Sequence, residues 1–345
     1  MEKKVAKAKR GATSTWPVVR PSILTEVESM AYMFKMEIKN EKIKRILDEL
    51  SVFLFGKDVA VILTLIACFA RGHLLIEDLP GMGKTTLALA MARVMDLSFS
   101  RIQCTSDLLP TDITGLSIYN RNSGEFEFHP GPIFNNIVLV DEINRATPKT
   151  QSALLEAMGE KQTTIDGKTY AHPQPFFIIA TQNPAEHYGI FPLPESQMDR
   201  FLMKISLGYP HREQEKQILR QASSREDLAQ VRNIMAAPEV LEIQDAIAHK
   251  VYVSEKVYDY ILQITEATRQ HPSLLTGIST RGALAVIAAA KARAYFCGRD
   301  FLIPEDIREL AEYTLPHRIM LKEEYESLDR KEVVQSILAS VSSPA

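Results

Sequence analysis

The chain has 345 residues, enough for two domains, with 46% hydrophobic and 24% charged side chains, the balance of an ordinary globular protein. A net charge of −3 and a pI near 6.3 exclude a global basic field for nucleic acid or anionic lipid. Cys68, Cys104 and Cys297 are odd in number, far apart and set in apolar segments, as in a reduced cytoplasmic protein without a disulfide framework or metal cluster.

Residues 1–29 read as a basic disordered tail: in the first 20 residues Lys3, Lys4, Lys7, Lys9, Arg10 and Arg20 stand against Glu2, and Pro17 and Pro21 interrupt any helix. No apolar core follows the N-terminal lysines, so no secretory signal is expected. From Met30 to Leu54 apolar residues recur at helical spacing, predicting one or two amphipathic helices. Phe55-Gly56 breaks the pattern, and Asp58 can cap the apolar helix that ends near Ala70. That run, Val59 to Ala70, has 12 residues interrupted only by Thr64. A bilayer span needs about 20, so a buried helix and no membrane span is expected.

His73 to Glu77 predicts a short buried strand, Asp78 to Gly83 a turn and Lys84 to Met95 a helix. Strand, glycine-containing loop, Lys-Thr and helix make a phosphate cradle, with loop N–H groups and a helix N-terminus facing the anion. The binding stretch is Pro80, Gly81, Met82, Gly83, Lys84, Thr85 and Thr86. Gly81 and Gly83 let the backbone curl without a Cβ in the way. Lys84 can reach the β- and γ-phosphates, and the Thr85 hydroxyl can ligate Mg²⁺. The strict pattern has glycine where this chain has Asp78.

Ser98 to Cys104 alternates as a strand does, and Asp107 to Gly115 reads as an irregular segment. Leu116–Tyr119 and Glu125–His129 flank a polar turn and predict a hairpin, and Thr163–Tyr170 around Asp166-Gly167 predicts a second. Ile137 to Val140 and Phe176 to Ala180 are continuous apolar runs, the pattern of parallel strands covered on both faces. Pro148 to Glu160 predicts an amphipathic helix, Pro194 to Arg200 a short helix and Phe201 to Leu207 a last strand.

Beyond Tyr209-Pro210-His211 every predicted element is helical: His211–Gln221, Val240–Ala248, Glu255–Arg269, Thr280–Phe296, Pro304–Leu315 and Arg330–Ala339. The expected organisation is thus a parallel α/β core over 30–209 and an all-α lid over 210–345.

Asp141 and Glu142 end a hydrophobic strand beyond the phosphate loop. Asp141 can hold Mg²⁺, and Glu142 can orient and polarise a water attacking the γ-phosphate. Asn183 closes the next buried strand, which would bring its amide to the same place. Arg200 admits two readings: a pairing with Asp199, or an arginine finger reaching the nucleotide of a neighbouring subunit. Arg281 opens a helix, where a positive charge is unfavourable for the dipole, and could fold onto the nucleotide from the lid side.

These residues resemble the MoxR family of AAA+ ATPases over roughly residues 40 to 320. The resemblance rests on Glu77-Asp-Leu-Pro-Gly-Met-Gly-Lys-Thr-Thr86, Gln103 to Gly115, Pro130-Gly-Pro-Ile-Phe134, Asp141-Glu-Ile-Asn-Arg-Ala146, Ala180-Thr-Gln-Asn-Pro184 and Pro192 to Phe201, with Ser279-Thr-Arg281 and Pro316-His-Arg-Ile319 in the lid. It implies ATP and Mg²⁺ as cofactors. Thr85 and Asp141 fall where the family has its metal ligands, and Glu142, Asn183, Arg200 and Arg281 where it has catalytic acid, sensor 1, finger and sensor 2. Phe55-Gly56 falls where adenine packs, and Asp78 resembles a variant within the family. It further implies a homo-hexamer acting like a chaperone on a protein client, for instance one with a von Willebrand factor A domain, or inserting a cofactor or metal.

Two rival readings are a nucleic-acid motor of the related helicase clade and a non-hydrolysing nucleotide scaffold. The hairpins offer Arg121, Lys161 and Lys168 against Glu125, Glu127 and Asp166, weak support for phosphate-backbone contacts. Lys84, Glu142 and Arg200 together argue against a scaffold.

Overall fold

Strands rich in aliphatic residues and flanked by helices bury both faces, and a parallel sheet is the arrangement that allows it. The computed structural model describes residues 36–184, 189–221 and 228–344. The basic tail, and residues 30–35 of the first expected helical stretch, lie outside the described residues. Helix α1 (Glu41–Ser51) begins where the Asn40 side chain accepts from the Lys42 and Ile43 N–H groups, both at 3.2 Å. Helix α2 (Asp58–Phe69) is apolar nearly all round and buried. Asp58 is its first residue and not its cap: Lys57 holds the cap position, and the acid favours the first turn through the dipole.

Strand β1 (Leu74–Glu77), helix α3 (Lys84–Val94) and strand β2 (Phe99–Gln103) follow. The stretch expected to be irregular contains a short helix, α4 (Pro110–Thr114), with proline at its first position. The Leu109 N–H donates to the Asp112 carboxylate at 2.8 Å and closes its first turn. Strands β3 (Gly115–Asn120) and β4 (Glu125–Pro130) form the first hairpin. After β5 (Ile137–Asp141), helix α5 (Pro148–Glu160) starts on Thr147 as cap, and β6 (Gln162–Ile165) with β7 (Lys168–Ala171) forms the second hairpin. Strand β8 (Phe177–Gln182), the short α6 (Glu195–Met198) and β9 (Met203–Ile205) complete this half.

The sheet order is β2-β5-β8-β1-β9, every pairing parallel. Chain order reverses across it, so the crevice outside the strand C-termini, at β1, β5 and β8, is where such sheets bind ligands.

The later chain packs α7 (Arg212–Gln221), α8 (Ala237–Lys250), α9 (Glu255–Gln270), α10 (Thr280–Phe296), α11 (Pro304–Thr314) and α12 (Arg330–Ser340). It has its own core, including Tyr260, Ile264, Val286, Ile307 and Ile337. The all-helical expectation fails where β10 (Leu274–Thr276) pairs antiparallel with β11 (Met320–Leu321) and where Tyr252 bridges Phe301, segments too short and too far apart in sequence to show periodicity. No helix among the described residues is long and apolar enough to cross a membrane.

Candidate functional site

The loop between β1 and α3 has the geometry of an anion cradle. Gly81 and Gly83 sit at φ +87° and +94°, and a Cβ on either would meet nothing within 4 Å: both face open space. Gly83 also starts α3 without a side-chain cap, leaving the first-turn N–H groups available to a ligand. The Lys84 ammonium donates to the carbonyls of Asp78 (2.8 Å) and Leu79 (3.0 Å). Burial lowers its pKa from the ordinary lysine value, and the carboxylates of Asp78, Asp141 and Glu142 oppose that shift.

Sheet register supplies the opposite wall. Gln103 lies beside Asp141, and Ile76 beside Thr181, at the strand C-termini. Asp141 is 6% exposed. One carboxylate oxygen accepts from Arg101 Nε at 2.7 Å, and the other from the Thr181 hydroxyl at 3.2 Å. Glu142 adopts a left-handed backbone, φ +57°, uncommon for a non-glycine residue. Its N–H donates to Thr181 Oγ1 at 3.0 Å. Its carboxylate accepts from Gln103 Nε2 at 2.9 Å and lies 3.3 Å from Arg145 Nε. Thr181 thus orients both acids, and β2 holds them through Arg101 and Gln103.

A cleft of about 290 Å³ joins these walls, lined by Pro80, Gly81, Gly83, Lys84, Thr85 and Thr86 on one side and by Arg101, Gln103, Asp141, Glu142, Thr181 and Asn183 on the other. Hydroxyl and carboxylate oxygens from Thr85 and Asp141 are the hard donors Mg²⁺ takes when phosphates complete its shell. The open glycine faces fit a polyphosphate.

The remaining candidates lie outside this cleft. Met82 sits between the two glycines without lining it. Phe55 and Gly56 do not line it either, and a Cβ on Gly56 would collide with Gln214 of α7. Arg200 lines a separate cleft with Leu155, Glu156, Glu160 and Gln197, and donates from Nη1 to the Leu155 carbonyl at 2.7 Å. Its expected alternative, a pairing with Asp199, is not formed. Asp199 instead accepts from Arg318 Nε at 2.8 Å and from the Ser279 hydroxyl at 3.1 Å. Arg281 is exposed in the first turn of α10, close enough to Arg318 for the like charge to be felt there.

Of the cleft-lining residues, Arg101 lies outside the motifs read from the sequence, and Gln103 and Thr181 lie within them without a role assigned there. A signal existed: Arg101 and Gln103 alternate around buried Ile102, so both lie on one face of a strand next to the acids.

Residues 73–203 match the ATPase family associated with various cellular activities (AAA), and residues 266–337 match the AAA lid domain. The chain is similar to the uncharacterized protein YeaC of Bacillus subtilis, at 46% identity over 84% of this chain and 91% of that protein. It is also similar to the chaperone MoxR1 of Mycobacterium tuberculosis, at 38% identity over 88% of this chain and 82% of that protein. A solved structure from Cytophaga hutchinsonii, described as a candidate ATPase, superposes with a TM-score of 0.83 at 40% identity, covering 94% of this chain and 99% of that one.

Proposed function

The chain belongs to the MoxR family of AAA+ ATPases, and from that premise we propose that it hydrolyses ATP to drive the remodelling or maturation of a protein client. In this reading residues 30–209 are the ATPase core and 210–345 the lid. Lys84 leaves the Asp78 and Leu79 carbonyls for the β- and γ-phosphates, and the Gly81–Thr86 backbone cradles them. Thr85 and Asp141 would hold Mg²⁺, which neutralises charge on the phosphate oxygens when bound. Glu142 accepts a proton from a water positioned with the Asn183 amide; that water attacks the γ-phosphorus as the bond to ADP breaks.

The observation that carries the reading is the meeting of Lys84, Asp141, Glu142 and Asn183 in one cleft at the strand C-termini. Arg200, in its own cleft, suits a neighbour's site in a homo-hexamer. Phe55-Gly56 serves adenine, and Arg281 approaches from the lid. The first hairpin exposes Leu116, Ile118, Tyr119 and Phe126 beside Glu125 and Glu127. That apolar and acidic surface suits a protein client, such as a von Willebrand factor A domain or an apoprotein awaiting metal, better than a phosphate backbone.

The test compares Lys84→Ala with Glu142→Gln. Calorimetry should show most ATP affinity lost in Lys84→Ala and kept in Glu142→Gln, whose turnover falls at least ~10²-fold. A client should then stay bound to Glu142→Gln with ATP and be absent from Lys84→Ala. Undiminished ATP binding by Lys84→Ala would show that this loop is not the nucleotide site.

A further inference from the structure

The one departure from the phosphate-loop pattern, Asp78, has a structural partner far along the chain. Its carboxylate is turned away from the cradle and buried, 8% exposed. It accepts from the Ser206 hydroxyl at 2.8 Å, from the Leu207 N–H, and from the Gly208 N–H at 3.4 Å. Residues 206–208 are the first after β9, the strand paired to β1, and they lead into α7. Gly208 has φ +62°, a conformation that lets the chain turn there.

A second buried charge grips the same peptides from the other side. Lys57, 7% exposed, donates to the carbonyls of Leu207 (3.0 Å) and Gly208. Burial lowers its pKa, and the Asp78 charge resists that. The two residues leaving the core therefore have their N–H groups on Asp78 and their C=O groups on Lys57. The backbone of Asp78 is committed too: its N–H reaches the Gln182 carbonyl on β8 at 3.2 Å, and its carbonyl receives Lys84. One residue thus touches the sensor strand, the phosphate lysine and the exit to the lid.

We infer that Asp78 is a positioning residue that couples the phosphate loop to the core–lid hinge at Ser206–Gly208. The inference rests on the ATP reading above. When Lys84 moves from the Asp78 carbonyl to phosphate, the residue that loses this contact is the one whose side chain holds the hinge. A glycine at position 78 would preserve the cradle and leave three hinge donors without their acceptor. A carboxylate ties the lid's attachment to the occupancy of the loop.

The test is hydrogen exchange of the peptide spanning 203–212 in the full chain, with and without MgATP, in a Glu142→Gln background that prevents turnover. ATP should change its exchange rate at least threefold. Asp78→Gly should exchange fast in both states, lose the ATP response, and bind ATP within about threefold of the parent by calorimetry. With Glu142 intact, Asp78→Gly should turn over at least tenfold more slowly. Asp78→Asn keeps an acceptor without the charge and should retain part of the response; it supplies the comparison if the glycine variant does not fold. A uniform increase in exchange that leaves the ATP-induced difference intact marks a merely structural residue and overturns the coupling, as does a parent that binds ATP with no change at the hinge. A parent that takes up no ATP removes the nucleotide reading itself, and the coupling falls with it.

Discussion

At the scale of single residues, the phosphate-loop half of the site is readable because consecutive residues make it. Gly81, Gly83, Lys84 and Thr85, proposed to cradle phosphate and Mg²⁺, lie a few bonds apart, and Asp141-Glu142 is marked by the apolar strand before it. Arg101 carries no such local mark, since its side chain reaches Asp141 on the paired strand from a position two residues out of register, opposite Leu139. Its guanidinium occupies one oxygen of the carboxylate proposed to hold Mg²⁺. A cation arriving there competes with a charge-assisted hydrogen bond, worth about 1.5 kcal/mol or more, roughly tenfold in an equilibrium constant. Arg101→Ala should therefore lower the melting temperature of the nucleotide-free protein, because the Asp141 carboxylate loses its charged donor and keeps the Thr181 hydroxyl. It should also reduce the Mg²⁺ concentration giving half-maximal stabilisation by ATP, by up to ~10-fold. Thermal melts across a Mg²⁺ series would measure both. Weaker ATP binding at every Mg²⁺ level would instead put the guanidinium on the phosphates.

At the scale of elements, legibility follows how much of each signal is local. Helices α5 and α10 match their expected bounds because caps and apolar spacing lie within the segment. The β10–β11 pair joins residues nearly fifty apart, and no window contains it. The hairpins were readable as hairpins, but alternation alone does not say which phenylalanine faces outward. Register and ring packing decide it. Phe128 stacks on Tyr170 of the second hairpin, centroids 4.1 Å apart, and meets Phe134 edge-on at 5.4 Å. Phe134 lies against His172, which stacks on Phe176 at 4.5 Å, and Phe176 meets buried His73 at the start of β1. Burial lowers the pKa of His73 and of His172 to about 4, so both rings are neutral at neutral pH. Among the described residues Phe126 has only Tyr119 as a ring partner, and it is 69% exposed. Phe128→Ala should cost about 2 kcal/mol, a fall in melting temperature of roughly 4–8 °C, by breaking the contact between hairpins. Phe126→Ala should leave melting temperature and ATP affinity unchanged and weaken client capture by the Glu142→Gln protein. Equal thermal losses in the two variants would refute this division of roles.

At the scale of the whole molecule, the lid is fastened to the core by a buried arginine, and this bears on the role proposed for Arg200. Arg318 donates to Asp199 at 2.8 Å and to the carbonyls of Phe201 (2.6 Å) and Leu202 (3.1 Å), while the neighbouring His317 ring bonds the Phe201 carbonyl at 3.0 Å. Burial lowers the Arg318 pKa to about 10, with Asp199 opposing the shift, so it stays charged near neutrality. Asp199 is committed to that junction. Arg200, next in sequence, is left at the rim of a cleft distinct from the one holding Lys84. A guanidinium in a cleft of its own fits the proposal that, in a ring, it completes the site of the next subunit. Arg200→Ala should bind ATP almost normally and hydrolyse it roughly 10³-fold more slowly. If the arginine acts in trans, two inactive proteins should complement each other. An Arg200→Ala subunit keeps Glu142, and a Glu142→Gln neighbour can lend it the arginine, so mixing the two should restore ATPase activity at a rate that peaks at intermediate ratios. Tagged subunits would verify that mixed rings form. Verified mixed rings that stay inactive at every ratio, together with near-normal turnover by Arg200→Ala alone, would show that Arg200 does not act between subunits.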